Sequence, residues 1–261
     1  MHVLAQAFSL PKAGNSVEEY EDAFWPEQQV DKTVKSFSFA IADGATETSF
    51  SGLWARMLVR SYCKGELAKS KMQKTLSSLQ RKWLDVVSQK PLPWFAETKI
   101  QSGAFSSLVG LTIYHSAMDK RGLPQWQAIA IGDSCLFQVR DDKLITSFPL
   151  NDSEQFNNSP SLLSSNQAAN VELEKNIIHK TGTLVEGDTF YLMTDALACW
   201  FLQEYESNRK PWADWSRILY ADCVDNDLSD QQIRFSNWIA DLRTSRLIRN
   251  DDVTSLRVEI S

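Results

Sequence analysis

Apolar residues recur either at every second position or at helical spacing, and the two periods divide the chain into an order of elements. Phe37, Phe39 and Ile41 alternate with smaller residues, and the run stops at Asp43-Gly44. That spacing predicts a strand delivering a carboxylate to a turn. A first strand is expected over 3–10, followed by a turn at Pro11-Lys12-Ala13-Gly14-Asn15 and an acidic stretch, Glu18-Glu19-Tyr20-Glu21-Asp22. After Asp43, Thr48 and Ser49 are candidate caps for a helix bearing Phe50, Leu53, Trp54, Met57 and Leu58 on one face. Met72, Leu76, Leu79, Trp83, Val86 and Val87 mark a second amphipathic helix, stopped by Pro91-Leu92-Pro93. Two such helices in succession predict a helical layer over a sheet.

Alternation then predicts strands over 106–114, 125–131 and 136–139, with a hairpin turn at 140–143 and a return strand over 144–146. The segment 151–170, rich in Asn, Ser and Gln, reads as a surface loop or flap. A strand begins near Ile177-Ile178, and another over 189–194 delivers Asp195. Helices follow over 196–205 and 229–249, then a turn at 249–252 and a last strand over 253–260. No repeat or composition shift marks a boundary, so a single domain is expected over 1–261.

Four acids share one setting. Asp43 and Asp195 each follow an apolar strand, Asp251 precedes one, and Asp133 lies in a turn between two. Strand ends are where a sheet gathers side chains from distant sequence. Carboxylates gathered there repel and raise one another's pKa unless a cation neutralises them. An all-oxygen set favours Mg²⁺ or Mn²⁺ over zinc. His2, His115 and His179 have no metal-ligand spacing, and GxSxG, Walker A and GxGxxG motifs are all missing.

Composition narrows the field further. The 261 residues carry a formal net charge of −6, which argues against nucleic acid or an anionic membrane as the main partner. No run approaches the roughly 20 apolar residues that span a bilayer. The first residues lack a basic leader, so no signal peptide is expected. Cys63, Cys135, Cys199 and Cys223 are scattered without a CxxC, which fits reduced thiols and a cytoplasmic protein. The nine tryptophans are scattered too, and read as packing residues.

The order of the acidic motifs resembles that of the metal-dependent Ser/Thr protein phosphatases of the type 2C family. Glu21-Asp22-Ala23 is similar to its early Glu-Asp motif, Ala42-Asp43-Gly44 to its central Asp-Gly, and Ile131-Gly132-Asp133-Ser134 to its Gly-Asp-Ser. Gly187-Asp188 with Leu192-Met193-Thr194-Asp195 is similar to its Gly-Asp…Thr-Asp-Gly strand, and Asp251-Asp252-Val253-Thr254 to its closing Asp-Asn-x-Thr. The resemblance implies an α+β fold, a four-layer α-β-β-α sandwich of two antiparallel sheets flanked by helices. It also implies a site for two Mn²⁺ or Mg²⁺ ions, with a weak third. Asp43, Asp195 and Asp251 would hold one ion. Asp43, Glu21 and the Gly44 carbonyl would hold the second. Asp22 would act through water, and Asp133 would serve the third. The implied chemistry is hydrolysis of phosphoserine or phosphothreonine in a protein substrate by a metal-bridging hydroxide.

This chain departs from the family's pattern in ways that bear on mechanism. The phosphate-gripping arginine before the Glu-Asp pair is missing, and Lys12 is the proposed substitute, a point charge without a fork. Ala45-Thr46-Glu47 replaces a glycine-rich turn, Ala196 replaces the glycine of Thr-Asp-Gly, and Cys199 stands where a further acid is expected. Either Asp251 or Asp252 could be the ligand. The alternatives to a phosphoprotein phosphatase are an inactive phosphatase-like domain serving as a binding or regulatory module, and a hydrolase of small phosphate esters.

Overall fold

A computed structural model describes residues 1–45, 50–89, 100–115, 124–156, 159–219 and 228–261. Its strands are β1 His2–Leu10, β2 Ala23–Trp25, β3 Val30–Thr33, β4 Ser36–Ala42, β5 Phe105–Ser106, β6 Leu108–His115 and β7 Pro124–Ile131, followed by β8 Cys135–Arg140, β9 Lys143–Phe148, β10 Leu163–Ser164, β11 Ile178–Thr183, β12 Thr189–Met193 and β13 Val253–Ile260. The helices are α1 Ser51–Cys63, α2 Met72–Ser88, α3 Leu173–Asn176, α4 Asp195–Glu206, α5 Ala213–Leu219 and α6 Leu228–Thr244. One sheet runs in the order β3-β1-β13-β12-β8-β9 and another in the order β11-β7-β6-β4-β2, with β10 and β5 as a separate pair. Every strand pairing is antiparallel.

Three apolar clusters explain the layout. The inner one joins residues of both sheets, among them Val3, Phe39, Ile41, Leu111, Leu192 and Val258. A second joins β8, β12, α4, α5 and α6 through Phe137, Tyr191, Phe201, Trp215 and Phe235. The third joins β4 and β6 to α1 and α2 through Ala40, Ala42, Trp54, Leu58 and Trp83. The strand predicted from positions 37, 39 and 41 is therefore buried on both faces. Phe39 and Ile41 fill the inner core, while the small Ala40 and Ala42 let α1 approach closely. The tryptophans Trp54, Trp83, Trp126 and Trp215 are fully buried, as packing residues should be.

Register decides where the acids go. Leu10 pairs with Val253, Met193 with Ser255, and Cys135 with Met193. Residues 251–252, 194–195 and 133 thus leave one sheet at the same end. Ala42 pairs with Ala23, and Leu108 pairs with Ile131, which brings 43 and 22 together and carries 133 across to the second sheet.

Several local expectations needed correction. The segment 151–170 is not all surface: β10 pairs with β5, and Leu163, Ser164 and Ser165 are buried. The Trp54 indole N–H donates to the Leu163 carbonyl (2.9 Å) and the Gln80 amide to that of Ser164 (3.1 Å), so helix side chains satisfy this polar segment. The strand expected over 106–114 is broken at Ser107. The last helix ends at Thr244, five residues early, where the chain turns through Arg246 at φ 57° and the Leu247 N–H returns to Leu242. Strands β2 and β3 and helix α5 carry too few periodic positions to have been foreseen. The candidate caps Thr48 and Ser49 and the stop Pro91-Leu92-Pro93 lie outside the described residues.

Candidate active site

Asp43 ends β4 and is held through its backbone. Its N–H donates to the Ser107 hydroxyl (3.1 Å), and its carbonyl accepts the Ser107 N–H (2.9 Å). The Ser107 and Ser134 hydroxyls meet at 2.6 Å, so Ser134 of the Gly-Asp-Ser motif braces the strand end that presents Asp43. Gly132, at φ 88°, makes this possible: a Cβ there would lie 2.7 Å from the Ser107 Cβ. Gly44 follows a similar rule, since a Cβ on it would sit 2.7 Å from the Glu21 carbonyl oxygen.

The acidic loop is tied to the last strand. Asp252 accepts the Lys12 N–H (2.8 Å) and the Glu21 N–H (2.7 Å), and is nearly buried. Asp251 accepts the Asp252 N–H (3.0 Å), while its carbonyl takes the Arg243 guanidinium (2.6 Å). The Glu21 carboxylate accepts the Ser51 hydroxyl from the start of α1. Asp22 Oδ2 accepts the hydroxyls of Thr254 (2.6 Å) and Thr194 (3.1 Å). Those two threonines also join their strands, through the Thr194 N–H to the Thr254 carbonyl (3.1 Å). The threonines of two separate motifs thus serve one carboxylate.

Five acids share one electrostatic neighbourhood. Burial first, then Asp22, Asp195, Asp133 and Asp251, push the Asp43 carboxyl well above the usual carboxylate range. Burial, then Asp195, raises Asp133 to about 7. Asp22 is raised by burial, against the pull of the Thr254 hydroxyl. Burial raises Asp195, against the pull of Arg249, whose guanidinium pairs with Oδ2. Oδ1 of Asp22 and Oδ1 of Asp195 are buried with no hydrogen-bond partner among the described residues. Two orphaned carboxylate oxygens amid like charges are a costly arrangement that a cation would relieve. Among the described residues, no three His, Cys, Asp or Glu side chains stand close enough to hold an ion as they are. The oxygen donors fit a hard cation, and Asp195 spends one of its oxygens on Arg249.

The remaining sequence candidates divide cleanly. Asp188 of the Gly-Asp motif is fully buried and takes both Arg140 (2.6 and 2.8 Å) and Gln138 (3.0 Å), an internal ion pair away from the acid cluster. Of the two final aspartates, Asp251 bears on the charges of Asp43, Asp133 and Asp195, whereas Asp252 bears on Asp22 and anchors the loop through two backbone N–H groups. Lys12 joins the network through its N–H to Asp252. Arg249 was missed as a site residue: the sequence places it only where the last helix meets the turn at 249–252, and the fold brings it onto Asp195. Cys63, Cys135 and Cys199 carry no disulfide. No helix among the described residues is long and apolar enough to cross a membrane.

Two antiparallel sheets with helices, and acids gathered where their strands end, define a mixed helix-and-sheet fold with an acidic site at one end. The chain belongs to the Protein phosphatase 2C family, whose profile matches residues 18–232. Solved structures agree on the fold. The serine/threonine phosphatase PstP/Ppp of Mycobacterium tuberculosis matches at 14% identity over 100% of both chains, with a TM-score of 0.58. The catalytic domain of PstP in complex with 2 manganese ions matches at 13% identity over 99% of each chain, TM-score 0.55. RsbX in complex with magnesium matches at 18% identity over 100% of this chain and 96% of its own, TM-score 0.52. No curated protein matches the sequence.

Proposed function

We propose that this chain is an active metal-dependent phosphatase of phosphoserine and phosphothreonine in proteins. The observation that carries this is the pair of buried, unpartnered oxygens, Asp22 Oδ1 and Asp195 Oδ1, at strand ends that also present Asp43, Asp133 and Asp251. Family membership supports it, as do the manganese and magnesium in the structures of PstP and RsbX. Asp43, Asp195 and Asp251 would hold one Mn²⁺ or Mg²⁺ ion; Asp43, Glu21 and the Gly44 carbonyl a second; Asp133 a weak third. Bound there, the ions would acidify water and neutralise charge on the phosphoryl oxygens.

The protein's own groups do the positioning. Ser107 and Ser134 fix Asp43, and the two threonines keep Asp22 aimed at the cluster. Asp252 holds Glu21 and Lys12 on the same loop edge, from which Lys12 would meet the substrate phosphate. The three apolar clusters support an α-β-β-α layering in one domain. The test is release of phosphate from a phosphoserine peptide. Purified protein should release it with Mn²⁺ or Mg²⁺, stop on adding EDTA, and fall to background in Asp43→Ala and Asp195→Ala. Protein inert with either metal, and silent when titrated with Mn²⁺ in a calorimeter, would end the proposal.

A further inference from the structure

Arg249 stands where a cation is needed. Its guanidinium pairs with Asp195 Oδ2, and its side chain is 51% exposed against 11% for Asp195. It also lies in the field of Asp251 and Asp133, and it sits two residues before Asp251 on a turn held by Arg243. The other oxygen of Asp195 is buried and unpartnered. One half of this carboxylate is thus neutralised by a residue that reaches in from solvent, and the other half is left open to the interior.

We infer that Arg249 is a movable counter-ion: it competes with the metal for Asp195, and once displaced it binds the phosphoryl oxygens of the substrate. The inference rests on the metal-dependent reading above. A divalent ion carries twice the charge of a guanidinium and approaches a carboxylate oxygen more closely, so it prevails at Asp195. The released guanidinium stays at the mouth of the cluster, because only a short turn separates it from Asp251. Its planar fork of donors matches a phosphoryl group's paired oxygens, which the Lys12 ammonium cannot do. An exposed arginine of this kind lowers metal affinity before loading and raises anion affinity after it.

The two halves predict opposite shifts in one variant. In Arg249→Gln, Mn²⁺ titrated into metal-free protein should bind about twofold to fivefold tighter, since a competing ion pair of surface strength is gone. Inorganic phosphate should bind the Mn²⁺-saturated variant about tenfold or more weakly, because a charge-assisted pair is lost. Arg249→Lys should fall between, keeping the charge without the fork. Far-UV circular dichroism confirms folding, which a half-exposed turn residue does not threaten. Wild-type protein that binds no Mn²⁺ overturns this inference, and if it also releases no phosphate with either metal the function proposed above falls with it. If the wild type binds Mn²⁺ but Arg249→Gln shows unchanged or weaker Mn²⁺ binding, or unchanged phosphate binding, this inference alone falls.

Discussion

Gly132 shows how a single atom governs the site. It bends the chain at φ 88°, and its missing Cβ leaves room for Ser107. Gly132→Ala would add backbone strain of about 1–3 kcal/mol and push Ser107, which holds Asp43, off its partner Ser134. The expected outcome is a lower urea midpoint together with a larger loss of phosphate release than the stability change explains. A variant as active as the wild type would show that the Ser107–Ser134 brace does not position Asp43. The Gly-Asp-Ser motif was legible as a turn with an acid in it. The hydroxyl of Ser134 was not legible as a brace, because its partner lies 27 residues away in sequence.

Among the elements, the turn from Arg249 to Asp252 puts two adjacent aspartates in different surroundings. Asp252 accepts two backbone N–H groups, from Lys12 and Glu21, and so ties the two ends of the loop to the last strand. Asp252→Ala should therefore lower stability by about 0.5–1.5 kcal/mol per lost hydrogen bond, read by urea denaturation of metal-free protein. Asp251→Ala should leave the urea midpoint close to wild type and weaken Mn²⁺ binding in calorimetry. The reverse pattern would exchange the two roles. Sequence could not choose between adjacent aspartates, since successive side chains entering a strand point to opposite sides. Alternation did locate β13 itself, whose bounds match the expected 253–260, because β13 is paired on both sides along a continuous apolar pattern.

For the whole molecule, the gathered acids set a pH dependence. Asp133 titrates near 3.9 when unfolded and is raised to about 7 when folded. Its contribution to stability is then fully present below the unfolded value and is lost as pH rises through the folded one, since the folded state binds more protons in between. Asp43 and Asp22 shift in the same direction, from burial first. Metal-free protein should melt at progressively lower temperature as pH is raised from about 5 to about 8, and saturating Mn²⁺ should flatten that slope. A melting temperature that climbs over this range would contradict the clustering. Sequence by itself determined the strands and helices with strong periodicity and the fact that acids sit at their ends, because local backbone preference and apolar spacing are properties of adjacent residues. Only the tertiary structure decided that those ends coincide, that Asp188 belongs to an internal ion pair, and that Arg249 meets Asp195. Register between strands far apart in the chain fixes all three, and no local pattern records it.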